Sequence, residues 1–202
     1  MIAVAANLNR PTAHAKPAHD PCEATDAPFR EATRQLASGV CLVTSGSGDE
    51  RSGLIATSVA ALSADPPTLL VCVDRASSSY RAVQSYGEFA VSVLGADQRE
   101  IADRFAAGSS LRGADRFRDW SWGVMPGGAC YLAGSVAVFD CEAVERIESH
   151  AHAIIVGHVR RVLIGDGSGA LVRWRGVYDQ VGWSRDEIAR AVGLSPCGDR
   201  TD

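Results

Sequence analysis

Apolar and polar positions change rhythm along this chain, and each change marks an element. After an opening rich in Pro, Ala and His, Asp26 and Pro28 signal a helix start, with Phe29, Ala32, Leu36 and Ala37 at helical spacing and Gly39 as the stop. The run GVCLVTSG follows as a strand, and the loop GSGDERSG turns it back, hairpin fashion, into a second strand from Gly53 to Leu62. Asp65-Pro66-Pro67 ends that strand, because proline neither donates to a ladder nor continues a helix, and Thr68 to Val73 resumes as β. Ser77 predicts the cap of a helix through Tyr86, closed by Gly87, after which Glu88 to Leu94 alternates as a strand. A further helix over Asp97 to Ala106 puts Ile101, Ala102 and Phe105 on one face.

Between Ala107 and Gly128 the chain is rich in Gly, Arg and Asp, with Phe117, Trp120 and Trp122 as anchors. That pattern suits either an ordered excursion over a site or a packed loop. From Cys130 long β runs take over: YLAGSVAVFDCEAVERIES, HAIIVGHVRRVLIG and ALVRWRGVYDQV, separated by turns such as Gly165-Asp166-Gly167-Ser168-Gly169. Several long strands and few helices predict a mainly β fold with flanking helices, closed or nearly closed as a barrel. Ser184 and Glu187 form a capping box for a last helix that stops at Gly193. The string EIARAVGLS also matches the first half of a DNA-binding helix-turn-helix, but the SPCGDRTD that follows is too short and too poor in basic residues for a recognition helix.

Composition narrows the class. At 202 residues, 46% of them hydrophobic, the chain has enough apolar material for one core. A net charge of −4 with scattered arginines lacks the basic footprint of a nucleic-acid binder. The apolar run in MIAVAANLNRPTAHAKPAHDP is too short for a signal-peptide core, and no stretch approaches the roughly 20 apolar residues of a spanning helix, so a cytoplasmic protein is expected. The expected organisation is a disordered leader over 1–25, one domain over 26–182, and a helix and tail over 183–202. Cys41, Cys72 and Cys141 lie inside apolar runs, where cysteine behaves as a small hydrophobe. There is no CxxC pair and only His150 and His152 approach ligand spacing, so no metal site is expected.

The densest candidate chemistry lies between Gly53 and Tyr80. Two hydroxyl-bearing segments flank an apolar strand there, and Asp74-Arg75-Ala76-Ser77-Ser78-Ser79-Tyr80 places a strand end, a cation and a serine-capped helix start in sequence, a plausible anion seat. The same serines also suit a redundant N-cap. No Ser/His/Asp set, no paired carboxylates, no nucleophile elbow and no strand-bound G-x-G-x-x-G are present, which points away from side-chain catalysis and from a dinucleotide fingerprint.

Taken in order, several stretches resemble the short-chain flavin reductases, the small components of two-component flavin monooxygenases built on the FMN-binding split barrel. The stretches are Ser38-Gly39-Val40 with Val43-Thr44, Gly53 through Ser58, Leu62 through Pro67, Asp74 through Tyr80, Phe89 through Leu94, Arg104-Phe105-Ala106, Leu132-Ala133-Gly134, Cys141-Glu142, His152 through Gly157, and Arg175 through Tyr178. The resemblance implies a Greek-key-like homodimer that binds FMN or FAD, oxidises NADH or NADPH, and supplies reduced flavin to a separate monooxygenase. It implies that Arg51, Ser52, Gly53, Leu54, Ile55, Ala56, Thr57 and Ser58 line the flavin ring and ribityl chain. Cys72, Val73, Asp74, Ser77, Ser78 and Ser79 would serve the phosphate side. His152 would lie near the nicotinamide as the catalytic-site histidine, and Tyr178 near either ring. Four positions depart from the family pattern: Ile55 where threonine is usual, Ser92 where asparagine is common, and His150 and Ala151 in place of Gly-Asp before His152. Strand alternation would put His150 on the same side as His152, as a lateral support. Two rival readings share the fold: a split-barrel protein that binds flavin, haem or deazaflavin without turnover, and a pyridoxamine-phosphate oxidase-like enzyme.

Overall fold

A computed structural model describes residues 22–165 and 169–182. The expected leader before residue 22, the middle of the Gly165–Gly169 turn, and the expected C-terminal helix and tail lie outside the described residues. Residues up to Thr33 form one unit and those from Arg34 onward another. In the first, helix α1 (Asp26–Thr33) starts where Asp26 and Pro28 predict, but it ends before Leu36 and Ala37.

The second unit is mainly β. Strands β1 (Ser38–Gly39), β2 (Cys41–Ser45), β3 (Ser52–Ala56), β4 (Val59–Ala64) and β5 (Pro67–Asp74) lead to helix α2 (Ser78–Tyr86) and β6 (Glu88–Val93). Helix α3 (Arg99–Phe105) and the short hairpin of β7 (Trp122–Val124) and β8 (Cys130–Leu132) precede the long ribbon of β9 (Ala137–Ser149) and β10 (His152–Ile164). Strands β11 (Ala170–Trp174) and β12 (Val177–Val181) close the described chain.

Seven strands pair antiparallel in the order β3-β2-β6-β9-β10-β5-β4. The expected single strand from Gly53 to Leu62 is therefore two strands on opposite edges of one sheet, joined only by Thr57 and Ser58. So short a link forces the sheet to curl until its edges approach, and at the link the Cys72 amide donates to the Ser58 carbonyl at 3.1 Å, extending the β4–β5 ladder by one pair. The place where β3 meets the corner between β5 and α2 is the barrel seam.

Burial follows from that curl. Val43, Val71, Val73, Phe89, Val91 and Ile155 fill the interior, with Tyr80 and Val83 of α2 packed on them. A second cluster on the outer side joins Leu42, Leu94 and Leu132 to Ile101 and Phe105 of α3. Every residue of β2 is buried, which explains why CLVTS shows no alternation; its two polar residues, Thr44 and Ser45, donate to the Cys130 and Glu88 carbonyls. Leu69, Val71 and Val73 alternate into the core along β5. Burial pushes the Cys41 thiol up to about 11. It also pushes the Cys141 thiol up to about 12, with help from Asp140 and Glu88, so both stay protonated packing groups.

Three other expected elements change on folding. The run from Cys130 to Ser149 breaks at residues 133–136, where Gly134 adopts a left-handed φ of 76° and the Ser135 hydroxyl donates to the Leu132 carbonyl. The run ALVRWRGVYDQV folds back on itself as β11 and β12, because Arg175 (φ 51°) and Gly176 (φ 83°) form the two-residue positive-φ turn that hairpins favour. His150 (φ 52°) sits with Ala151 in the tight turn between β9 and β10, so it does not share a strand face with His152. Helix α2 instead matches its expected limits: the Ser77 side chain accepts from the Tyr80 amide, and Gly87 caps the end at φ 69°.

Gly157 lies on β10 at a register shift, and a methyl group there would run into the Phe89 ring and crowd the Cys141 Cβ at 3.2 Å. Gly157→Ala should therefore cost about 1–3 kcal/mol of stability, read as a lower urea midpoint with an unchanged slope. An unshifted midpoint would show that Phe89 has room to move.

Candidate functional site

The seam brings two separated hydroxyl segments together. The Ser52 hydroxyl on β3 lies 2.8 Å from that of Ser78 and 3.0 Å from that of Ser79, at the first turn of α2. At the other end of β3, Ser58 pairs through its backbone with Cys72 on β5. Segments 51–58 and 72–79 thus run side by side, with β4 and the turn at Asp65-Pro66-Pro67 leading from one to the other. Their side chains divide the work: Ala56 and Val73 are buried in the core, so only their backbone is free to meet a ligand. Leu54 packs on the interior cluster and Ile55 on the outer one.

The start of α2 is fixed locally. Asp74 accepts from the Ala76 amide at 2.9 Å, and the Ser77 hydroxyl donates to the Asp74 carbonyl at 2.7 Å while accepting from the Tyr80 amide at 3.1 Å. Ser77 is thereby committed to capping, and Ser78 remains exposed. Amides and hydroxyls at this helix start complement negative charge. Arg51 stands at the same end of β3, stacked 4.6 Å from the Phe117 ring centroid, with a buried Nε that has no hydrogen-bond partner. A phosphate-bearing ligand fits such donors.

His152 opens β10, exposed, with Asp74 opposite it on β5 and Ser149 opposite it on β9. The missing Gly-Asp of the expected segment thus has a carboxylate-bearing residue across the ladder in its place. Arg75 does not serve as a free anion seat. Its guanidinium pairs with Glu148 at 2.7 Å and donates to the His150 carbonyl at 3.0 Å. The Tyr80 ring is buried but its hydroxyl reaches Glu148 at 2.7 Å, and that hydrogen bond raises its pKa. Helix α2 and the hairpin carrying His152 are consequently tied through one carboxylate. The His150 ring faces the Ser149 hydroxyl at 3.0 Å instead of supporting His152.

Tyr178 lies on β12, in the three-stranded sheet β1-β11-β12 and not in the sheet of His152. It packs on the outer cluster, with the Arg99 and Arg173 guanidiniums each 5.8 Å from its ring centroid, and burial raises its pKa. Arg116 was not foreseen from the sequence. Its guanidinium stacks 4.6 Å from the Phe105 ring centroid, donates to the Gly53 carbonyl at 3.1 Å and to the Arg104 carbonyl at 3.2 Å, and so holds β3 from behind. Sequence patterning carries no signal for a contact 63 residues apart. Among the described residues, no group of three or more His, Cys, Asp or Glu side chains is placed to hold a metal ion. No helix among them is long and apolar enough to cross a membrane.

The model of the flavin reductase like domain matches residues 33–182. This chain belongs to that family. The FMN reductase (NADH) RutF 2 of Methylorubrum extorquens is 39% identical over 153 residues, covering 76% of this chain and 88% of the relative. Among solved structures, BorF, the flavin reductase component of a bacterial two-component tryptophan halogenase, superposes with a TM-score of 0.72 at 30% identity, covering 78% of this chain and 99% of its own. The NADH:FAD oxidoreductase SgcE6 of Streptomyces globisporus gives a TM-score of 0.72 at 27% identity over 81% of this chain and 99% of its own. In this family member, β3 and the α2 start are the elements that meet across the barrel seam.

Arg116→Ala removes two charge-assisted hydrogen bonds and a stacking contact behind β3. It should lower stability by about 2 kcal/mol and weaken flavin binding several-fold. Parallel thermal melts and flavin titrations check both effects, and unchanged flavin affinity would separate Arg116 from the site.

Proposed function

We propose that this chain takes a hydride from NADH, delivers it to free FMN or FAD, and releases the reduced flavin to a separate monooxygenase. The observation that carries the reading is the meeting of Ser52 with Ser78 and Ser79 across the seam, in a chain whose relatives carry the names of FMN reductases and of flavin reductase components. NADH becomes NAD+ as the flavin gains the hydride and a proton from solvent; the two cofactors supply the reactivity and the protein holds them in contact.

The backbone of Gly53 through Ala56, with Thr57 and Ser58, lies along the flavin ring and ribityl chain in this reading. Ser52, Ser78 and the first amides of α2 meet the phosphate, Ser79 is buried behind them against Ser52, and Cys72 and Asp74 border the same edge. His152 packs on the nicotinamide and Tyr178 completes the wall from the outer sheet. Use of NADH matches a cytoplasmic protein. The working form is a homodimer: Val144, Ile147, Val162, Leu163 and Ile164 stand exposed along the β9–β10 ribbon, and a second copy covers them.

Steady loss of NADH absorbance on adding FMN or FAD is expected, and flavin binding without NADH consumption would turn the reading into a storage or sensing role. His152→Ala should slow reduction of bound flavin by roughly ten-fold with flavin affinity unchanged, whereas His150→Ala stays near the parent. Stopped-flow reduction at saturating flavin compares them, and a His152→Ala variant equal to the parent removes that role. Sedimentation at micromolar concentration should give a dimer. A fully active monomer refutes the assembly.

A further inference from the structure

A cleft of about 530 Å³ opens at the Ser52 and Ser78 end of the seam. That volume lies within the roughly 300–1,000 Å³ of small-molecule sites. Its floor is one face of α2, since Ser78, Arg81, Ala82 and Ser85 recur at helical spacing, and the face runs about 10 Å from Ser78 to Ser85 at about 1.5 Å per residue. Arg51 and Arg112 line it as well. Arg112 is held by its own loop, donating to the Ser109 and Leu111 carbonyls, and Arg81 reaches back to the Ala76 carbonyl at 3.5 Å. Both guanidiniums are exposed and keep donors to spare.

The cleft is not uniformly basic. Asp49 and Glu50 line it as well, and Glu50 accepts from the Tyr86 hydroxyl. Carboxylates repel a bare phosphate, but they accept hydrogen bonds from ribose hydroxyls or an exocyclic amine. Cations followed by acceptors along one groove match a nucleoside phosphate. The flavin reading, on which this step rests, runs the flavin along β3 from Ser58 to Ser52 and ends its first phosphate at Ser78. The cleft begins where FMN ends.

We infer that this cleft seats the adenosine half of FAD, with Arg81 and Arg112 on its second phosphate, so that the chain binds FAD more tightly than FMN. In this placement FMN ends at Ser78, and only FAD carries a second phosphate onward to Arg81 and Arg112. The two arginines are specificity determinants.

Flavin titrations without NADH, followed by fluorescence, test this directly on the intact chain. FAD should bind more tightly than FMN to the parent protein. Arg81→Ala and Arg112→Ala should each weaken FAD about ten-fold and leave FMN within about two-fold, with thermal melts confirming that both surface variants fold. Equal losses for the two flavins would overturn the assignment and give the arginines to the phosphate that FMN and FAD share. Unchanged FAD affinity would overturn it outright. NADH consumption with FMN, intact while either of those results is seen, leaves the reductase reading standing; absence of binding by both flavins removes the two together.

Discussion

The fold depends on one geometric constraint: β3 and β4 follow each other in the chain yet occupy opposite edges of a seven-stranded sheet. Two residues, Thr57 and Ser58, span the distance. A flat sheet of that order cannot be built with so short a link, so curling is imposed by connectivity before any side chain is considered. The seam then provides what a closed barrel lacks, a place where the backbone of an edge strand and the start of a helix face the same space. Ser52, Ser78 and Ser79 meet there because the sheet had to bring its ends together.

The elements around the seam are held from two directions. Tyr80 and Val83 seal the barrel interior from α2, while Arg116, stacked on Phe105, reaches through the outer layer to the Gly53 carbonyl. Phe105, Phe117 and Trp122 pack edge to face or tilted, with centroids 4.9 to 6.0 Å apart, and so fix the loop that carries Arg116. The excursion after α3 is thus a packed support over this stretch.

What the sequence made readable were local signals. Ser77 and Gly87 set the limits of α2 because capping is decided within a few residues, and Ile101, Ala102 and Phe105 announced the buried face of α3. Several of the expectations that failed were those in which turn chemistry interrupts an apolar run. Arg175-Gly176, Gly134 and His150 each take positive φ inside stretches whose side chains still read as β. At the site, nearness in sequence identified the two hydroxyl segments. It gave no hint of Glu148 beneath Tyr80 and Arg75, or of Arg116 behind Gly53, because such contacts exist only after the ribbon and the aromatic loop have packed.

Strand β2 answers to two interiors at once. Leu42 feeds the outer cluster and its neighbour Val43 the inner one, and Thr44 hydrogen-bonds across to the Cys130 carbonyl. A slip of one residue would exchange those destinations and spoil both layers together, so pairing with β3 on one side and β6 on the other is locked by packing from above and below. Sequence drift in this molecule is therefore channelled outward. The rims and loops that meet ligands can diversify while the central strand stays nearly fixed, which lets one barrel acquire new ligand preferences without renegotiating its own assembly.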